Sequence, residues 1–210
     1  MSSARATSAD GHWRVSLLEL AQDWRFAILF LFAFSVIIGF IDIDRPPHVD
    51  ELYHVMAAKG WLTYGEPRIG DGLYDRAKLF TILVAGAIWM WGDNLVAARL
   101  PSVFAGSLLV VAVFLWTRTV AGSAAAWIAA LLLCLSSLSF QLFLWARFYA
   151  LHALVFWLGA IGTYALFEER FRLRAKLGLA LGAGLAFLLA FHLQFLTLVG
   201  IAASAIPHST

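Results

Sequence analysis

Long apolar runs, each bounded by charged or turn-forming residues, dominate the pattern along this chain. A helix needs about 20 apolar residues to cross a bilayer core of roughly 30 Å, because it rises about 1.5 Å per residue. Four runs reach or approach that length, and a fifth is long enough to include chain beyond its helix. The runs are 24–41, 97–116, 124–145, 148–167 and 177–206. The pattern predicts an all-α, polytopic transmembrane bundle of about five spans.

A sixth apolar run, 79–91, is too short for a comfortable span, since its residues reach only about 20 Å as a helix. If it crossed the membrane, the basic loop 168–176 would share a side with the long polar loop 42–78. That basic loop carries Arg170, Arg172, Arg174 and Lys176, which the positive-inside rule places in the cytosol. We therefore expect 79–91 to be a re-entrant or interfacial helix; a short, tightly packed span is the alternative.

This topology places the N-terminal segment 1–23 in the cytosol and loop 42–78 on the outer face. The transmembrane module is 24–206, and 207–210 forms a short tail. The turn around Arg147 and the start of the second span at Arg99 then fall on the same side as loop 42–78. Both arginines are expected to converge on that loop.

Composition supports lipid as the solvent for much of the chain. Hydrophobic residues make up 62% of the 210 positions and charged residues 13%, whereas soluble domains are about half apolar and a quarter charged. A net charge of +2 gives no reason to expect a nucleic-acid partner. The single cysteine, Cys134, excludes an internal disulfide and lies in an apolar run, so it is expected to be buried.

Loop 42–78 contains a candidate helix over 49–62, whose apolar positions recur at helical spacing. These positions are Val49, Leu52, Tyr53, Met56, Ala57 and Trp61. The helix is expected to lie on the membrane surface. Gly60, Gly65 and Gly70 are interpreted as markers of the turns that follow it.

Two adjacent acids, Asp50 and Glu51, stand at the start of this helix. Carboxylates near a helix N-terminus are favoured by the exposed N–H groups, so one interpretation is capping. The other is catalytic, because Lys78, Arg99 and Arg147 are expected on the same membrane face. Such cations would bind a lipid phosphate, and a carboxylate beside them could accept a proton from an attacking hydroxyl.

The six histidines do not have the spacing of a metal site, and no metal or other cofactor is expected. His48 and His54 are six residues apart and would not share one helical face. His152 and His192 lie within apolar runs and are interpreted as satisfied core histidines.

Three segments in order resemble the GT-C membrane glycosyltransferases that use polyprenyl-phosphate sugars. They are VDELYHVMAAKGWLTYGEP at 49–67, YDRAKLFTILVAGAIWMWGDNLVAARLPSVFAG at 74–106 and LWARFYALHALVFW at 144–157. The first is similar to the Asp-Glu loop helix of the dolichyl-phosphate-mannose–protein mannosyltransferase group, which includes the lipid A aminoarabinose transferases. The others are similar to that group's Lys/His-Pro-Pro-Leu segment with an Ala-Arg-Leu-Pro-Ser span start, and to its Ala-Arg-x-Tyr-Ala motif.

The resemblance implies a GT-C-like fold and transfer of a sugar from a polyprenyl-phosphate donor to an acceptor on the outer face of a bacterial inner membrane. Asp50 would be the general base with Glu51 in support, and Lys78 would bind the lipid phosphate. Arg99 and Arg147 would line the site, and we expect Tyr53, His54 and Tyr74 of the same loop to contribute to substrate binding. Leu79-Phe80 replaces the family's Pro-Pro, and Tyr53 stands near the position of an aminoarabinose-type arginine.

The acceptor could be a protein, a lipid or a glycan. Because members of this group usually have more spans, the chain is expected to be a fragment, one half of a split protein or a shortened relative. The alternative function is a non-catalytic membrane subunit or scaffold of a larger complex. A transporter is less well supported, since no internal repeat or broken span pair is visible in the sequence.

Overall fold

The computed structural model describes residues 23–167 and 172–204. This part contains eight helices and one short antiparallel hairpin, in which Arg68 pairs with Leu73 and Ile69 with Gly72. In chain order the elements are α1 (Trp24–Phe40), α2 (Val49–Tyr64), β1 (Arg68–Ile69), β2 (Gly72–Leu73), α3 (Lys78–Trp91), α4 (Leu95–Leu135), α5 (Ser137–Leu144), α6 (Tyr149–Leu166), α7 (Leu173–Leu193) and α8 (Thr197–Ser204). The all-α prediction is confirmed. The predicted tail 207–210 and the N-terminal segment 1–23, except its last residue, lie outside the described residues.

Three of these helices, α4, α6 and α7, are long and apolar enough to cross a membrane. Helix α1, with 17 residues, and α3, with 14, are apolar but shorter. At about 1.5 Å per residue, α3 extends roughly 21 Å, less than the thickness of a hydrocarbon core. These helices support the assignment of the chain to the membrane.

Helix α4 reverses direction at Gly122, whose φ of 86° and ψ of 174° interrupt the helical backbone. The Phe114 and Trp127 rings lie 5.3 Å apart, although a straight helix would separate residues 13 positions apart by about 20 Å. The segments 95–121 and 123–135 are therefore two antiparallel arms. Glycine is required here because a side chain at this φ would be strained.

Two of the predicted spans are interrupted in the structure. The run 124–145 is divided at Ser136, whose extended backbone separates the second arm of α4 from α5 and whose Oγ accepts a hydrogen bond from the Ser139 N–H. The run 177–206 is divided at Gln194, where extended backbone ends α7 before α8. A single helix over 124–145 was a wrong prediction, because apolar composition does not reveal a change in backbone conformation. The run 177–206 was expected to include chain beyond its helix, and that helix ends at Leu193.

Helix α1 packs against both arms of α4. Ser35 lies 3.1 Å from Cys134 of the second arm, measured from Oγ to Sγ. Gly39 faces Val103 of the first arm so closely that an added Cβ would lie 2.7 Å from a Val103 methyl carbon. Cys134 is buried, as predicted. Small residues at these positions allow the helix backbones to approach closely.

Helices α6 and α7 run antiparallel, with Gly159 against Phe187 and Gly162 against Ala183. The start of α6 and the end of α7 therefore lie at one end of the bundle. Arg172 and Arg174, at the start of α7, lie at the other end.

The segment between α1 and α4 covers the first of these two ends. The prediction that Gly60 marks a turn was wrong, because Gly60 lies inside α2. A Cβ at this position would come within 2.2 Å of the Arg68 carbonyl oxygen of the hairpin. Helix α2 ends at Gly65, which has a φ of 77°. Glycine at position 60 allows the hairpin to pack directly on α2.

Helix α2 buries two of its polar residues and exposes much of its apolar stripe. Glu51 and His54 are buried, whereas most of the predicted apolar positions are exposed or half-buried. The exposed members are Val49, Leu52, Tyr53 and Met56. Glu51 and His54 of the loop therefore point into the end of the helix bundle.

Candidate functional site

The carboxylate of Glu51 forms a buried ion pair with Arg99 at the end of the bundle covered by α2. Both side chains are essentially inaccessible. Arg99 donates from Nε to Oε2 at 2.9 Å and from Nη2 to Oε1 at 3.0 Å, which is a bidentate contact. The N–H of Ala146 donates to Oε2 and the N–H of His48 donates to Oε1, each at 3.1 Å. Every oxygen of this carboxylate is thus engaged inside the protein.

The remaining donors of Arg99 reach the loop after α1. Nη1 donates to the carbonyl oxygens of Ile43 at 2.6 Å and Arg45 at 2.9 Å. The pair therefore connects the loop after α1, the start of α2, the start of α4 and the turn between α5 and α6. Burial alone raises the pKa of Glu51, but the Arg99 hydrogen bonds and the two backbone N–H groups outweigh it and lower that pKa. Glu51 is an ionised positioning group, and its contact with His48 also completes a capping box.

Asp50, the neighbouring acid, is directed toward solvent. Its side chain is 48% exposed and forms an ion pair with Arg147 Nη1. The Asp50 backbone N–H donates to His48 Nδ1 at 3.3 Å, so the capping contact leaves the carboxylate available. Of the two acids, Asp50 is the one that a ligand can reach.

Arg147 is held in place by contacts on several sides. Only 7% of its side chain is exposed. Its carbonyl oxygen accepts a hydrogen bond from Ser102 Oγ at 3.0 Å, and its guanidinium carbon lies 4.8 Å from the centre of the Tyr149 ring. Nε is buried and has no hydrogen-bond partner within residues 23–167 and 172–204. A ligand oxygen that reached Nε would satisfy an otherwise unpaired donor.

Arg76 is a second cation at this site and was not identified from the sequence. Its guanidinium carbon lies 5.6 Å from the centre of the Phe148 ring, and that of Arg147 lies 5.8 Å from the same centre. Arg76 is exposed. The sequence places Arg76 two residues before Lys78 in the YDRAK segment, and this position was the signal that could have identified it. The sequence could not show which of these two basic residues lies beside Phe148.

Lys78 lies at the first position of α3 and pairs with Asp75, with Nζ 2.7 Å from Oδ1. Both side chains of this pair are substantially exposed. The structure brings Arg99 and Arg147 to the acidic pair, whereas the described contacts of Lys78 lie with Asp75. A phosphate-binding role for Lys78 remains a prediction.

His54, Tyr74 and Tyr53 form the wall of the site beside Arg147. His54 is fully buried, with Nδ1 3.1 Å from Thr81 Oγ1 and Nε2 3.5 Å from the Tyr74 hydroxyl. The rings of Tyr53 and Tyr74 stack with their centres 5.9 Å apart. The structure thus brings together the three loop residues that were expected to bind substrate.

Burial and nearby charges shift the pKa values of His54 and Tyr74. Burial, followed by the positive charges of Arg147 and Arg76, lowers the pKa of His54 from 6.5 to about 4, against a smaller opposing effect of Asp50. Burial also raises the pKa of Tyr74. Both groups are therefore neutral at pH 7.

A cavity of about 570 Å³ adjoins Arg76 between the start of α3 and the break after α7. Its lining combines Asp75 and Arg76 with apolar side chains such as Phe191, Phe195 and Leu196. His192 also lines it and is exposed, so its interpretation as a core histidine was wrong. The reason is that the break at Gln194 ends α7 beside this opening.

His152, in contrast, is partly buried, and its Nε2 lies 2.8 Å from Thr197 Oγ1 of α8. Within residues 23–167 and 172–204, no group of three or more His, Cys, Asp or Glu side chains is arranged to hold a metal ion. Comparisons of the chain with models of known families, with curated proteins and with solved structures gave no match. The chemistry of the site therefore carries the functional argument.

Proposed function

We propose that this chain is a membrane glycosyltransferase that moves a sugar from a polyprenyl-phosphate donor to an acceptor hydroxyl on the outer face. The observation that carries the proposal is the half-exposed Asp50 carboxylate held against the buried Arg147, with Arg76 beside the same Phe148 ring. A reachable carboxylate and two cations suit a reaction that removes a proton from one oxygen and stabilises negative charge on another.

In the proposed reaction, Asp50 accepts the proton of the acceptor hydroxyl. The acceptor oxygen forms a bond to the anomeric carbon from the face opposite the phosphate. The bond from that carbon to the phosphate oxygen breaks, and polyprenyl phosphate leaves with the electron pair. The configuration at the anomeric carbon is inverted. No separate acid is required, because a phosphate is already a good leaving group.

The cations have separate tasks in this proposal. Arg147 contacts Asp50 through Nη1, and its buried Nε has no hydrogen-bond partner among the described residues. In this proposal Nε donates to a phosphate oxygen. Arg76 is exposed and lies next to the cavity, where it can neutralise the second phosphate charge while apolar walls receive the first isoprene units. Lys78, two residues further on, is the alternative partner of the phosphate.

Glu51 and Arg99 support the site without contacting substrate. Because they join four segments of the bundle end, they hold the first turn of α2 and thereby the Asp50 backbone. This rigidity matters because a catalytic carboxylate must stay within hydrogen-bond reach of its proton.

A non-catalytic membrane subunit is the second candidate. The observation that favours it is the exposed apolar stripe of α2, which a larger membrane complex could cover. In that case the Asp50–Arg147 pair would only hold the loop, and substitutions there would leave activity of the complex intact. Stoichiometric copurification with a larger complex would support this candidate.

Asp50→Asn tests the enzyme proposal in membranes that contain the protein. The probe is a set of labelled polyprenyl-phosphate monosaccharides, and the readouts are donor binding and release of polyprenyl phosphate. We expect release to fall about 10²- to 10⁴-fold, the usual contribution of a general base, with donor binding retained. Asp71→Asn, in the exposed hairpin turn, is the matched control and should keep full activity. Full activity of Asp50→Asn would refute the base assignment.

A further inference from the structure

Three polar side chains from three separate elements form a line beneath the open site. Thr81 belongs to α3, His54 to α2 and Tyr74 to the segment after β2. The distances along the line are 3.1 Å from Thr81 Oγ1 to His54 Nδ1 and 3.5 Å from His54 Nε2 to the Tyr74 hydroxyl. Thr81 and His54 are fully buried, whereas Tyr74 is partly exposed.

Aromatic rings flank the His54 imidazole in the middle of this line. Phe80 and Phe148 meet the His54 ring nearly edge-on, with centres 5.2 and 5.8 Å away. The imidazole therefore has one polar neighbour on each nitrogen among its described contacts. Buried polar groups are costly unless they are paired, so the two contacts must share the available hydrogens consistently.

The Thr81 hydroxyl determines how these hydrogens are arranged. It is buried, and the only hydrogen-bond partner described for its oxygen is His54 Nδ1. If Nδ1 carried the imidazole hydrogen, the Thr81 hydroxyl hydrogen would have no described acceptor. If Thr81 donates to Nδ1, neutral His54 carries its hydrogen on Nε2 and donates it to the Tyr74 oxygen. The hydroxyl hydrogen of Tyr74 is then directed away from His54.

We propose that Thr81 and His54 orient the Tyr74 hydroxyl as a hydrogen-bond donor to a phosphate oxygen of the donor lipid. Tyr74 lies within electrostatic range of Arg147 and Arg76, so an anionic oxygen bound there faces the free hydroxyl hydrogen. Tyr53 stacks on the Tyr74 ring and restricts its rotation. Tyr74 is the group that contacts the ligand; His54 and Thr81 are positioning residues. The ligand part of this inference rests on the proposed function, whereas the hydrogen arrangement does not.

The surrounding charges keep the arrangement intact near neutral pH. Burial, followed by the positive charges of Arg147 and Arg76, lowers the pKa of His54 to about 4, against a smaller opposing effect of the Asp50 carboxylate. Protonated His54 would donate from both nitrogens and could not accept from Thr81. The line of Thr81, His54 and Tyr74 therefore requires a neutral imidazole.

The hydrogen arrangement is measured by nitrogen NMR of the full chain with isotope-labelled histidine at pH 7, with the His54 signal identified by its loss in His54→Asn. We expect hydrogen on Nε2 and a hydrogen-bonded, unprotonated Nδ1. Thr81→Ser should preserve this spectrum and Thr81→Val should not. Hydrogen on Nδ1 in the wild type would overturn the inference.

The ligand contact is measured by equilibrium binding of polyprenyl phosphate without sugar, and of inorganic phosphate, to the same protein in nanodiscs. Tyr74→Phe should weaken binding of the lipid about tenfold or more, because a hydrogen bond to a charged oxygen is lost. Thr81→Val should weaken binding similarly, and the double variant should lose no more than either single variant. Additive losses, or unchanged binding by Tyr74→Phe, would overturn the proposal that Thr81 and His54 orient the Tyr74 hydroxyl.

Two further outcomes are distinguishable. Binding of inorganic phosphate as tightly as the lipid would show that the site recognises the anion alone and would overturn the lipid assignment. Absence of lipid binding by the wild type would contradict both the ligand contact and the proposed function. The NMR result would still decide the arrangement of Thr81, His54 and Tyr74.

Discussion

Replacing Glu51 with Gln removes the charge of a buried carboxylate while keeping its shape. Four donors converge on that carboxylate, two from Arg99 and one each from the backbone of His48 and Ala146. An amide has only one acceptor oxygen, and its NH₂ group would face donors. The variant therefore leaves the Arg99 charge buried without a counterion.

The expected loss in the free energy of unfolding follows from these contacts. Removing one partner of a buried ion pair costs about 3–5 kcal/mol. Loss of two hydrogen bonds to charged groups, at about 1.5–3 kcal/mol each, gives a similar figure. For a chain of this size, that corresponds to a decrease of about 6–20 °C in the melting temperature.

Thermal unfolding in detergent, followed by circular dichroism and tryptophan fluorescence, measures this effect. Asp75→Asn is the control, because its pair with Lys78 is exposed and should contribute less than about 1 kcal/mol. Glu51→Met combined with Arg99→Met should recover part of the loss. Recovery is incomplete because two carbonyl oxygens lose their Arg99 donor. A melting temperature of Glu51→Gln within 2 °C of the wild type would refute the structural importance of this pair.

Three further variants test the packing and titration of the same region. The pKa of His54 is about 4 in the folded state, below 6.5, so its stabilising contribution is complete above pH 6.5 and is lost as the pH falls toward 4. This change lowers the free energy of unfolding by about 3 kcal/mol. His54→Asn should remove this pH dependence of the melting temperature, and an equally steep pH dependence in the variant would contradict the assignment to His54. Gly60→Ala places a methyl group against the hairpin backbone and should lower the melting temperature. Gly86 has open space around it, so Gly86→Ala should leave the melting temperature unchanged or raise it. Similar melting temperatures of the two variants would contradict the close hairpin contact. Gly106→Ala drives a methyl group into the Phe143 ring and should cost about 1–3 kcal/mol in chemical unfolding; an unchanged unfolding midpoint would contradict this packing.

The charge pattern of the sequence predicted which residues share one end of the bundle, but not how they pair. Loop charges predict sidedness because basic loops are retained in the cytosol, and this brought Arg99 and Arg147 to the side of the acidic pair. The choice of Arg99 for Glu51 and of Arg147 for Asp50 depends on side-chain directions along α2. These directions result from packing against the turn after α5, which is distant in sequence.

The sequence did not predict the helix breaks or the position of Arg76. Ser136 and Gln194 interrupt apolar runs with single extended residues, and a hydrophobicity pattern averages over such positions. The YDRAK segment offers two basic residues, and only the structure shows that Arg76 lies beside the Phe148 ring while Lys78 pairs with Asp75. Gly60 had a signal common to turns and close helix contacts, and only the neighbouring Arg68 backbone distinguishes them.

The central claim is that sugar transfer takes place at Asp50 on the outer face of the membrane. Right-side-out vesicles containing the protein, with a labelled polyprenyl-phosphate sugar in the outer leaflet, test it most directly. The measurement is release of polyprenyl phosphate together with transfer of label to vesicle components. We predict release from the outer leaflet by the wild type and loss of that release in Asp50→Asn. Equal release by the two proteins, or release only from donor confined to the inner leaflet, would contradict the claim.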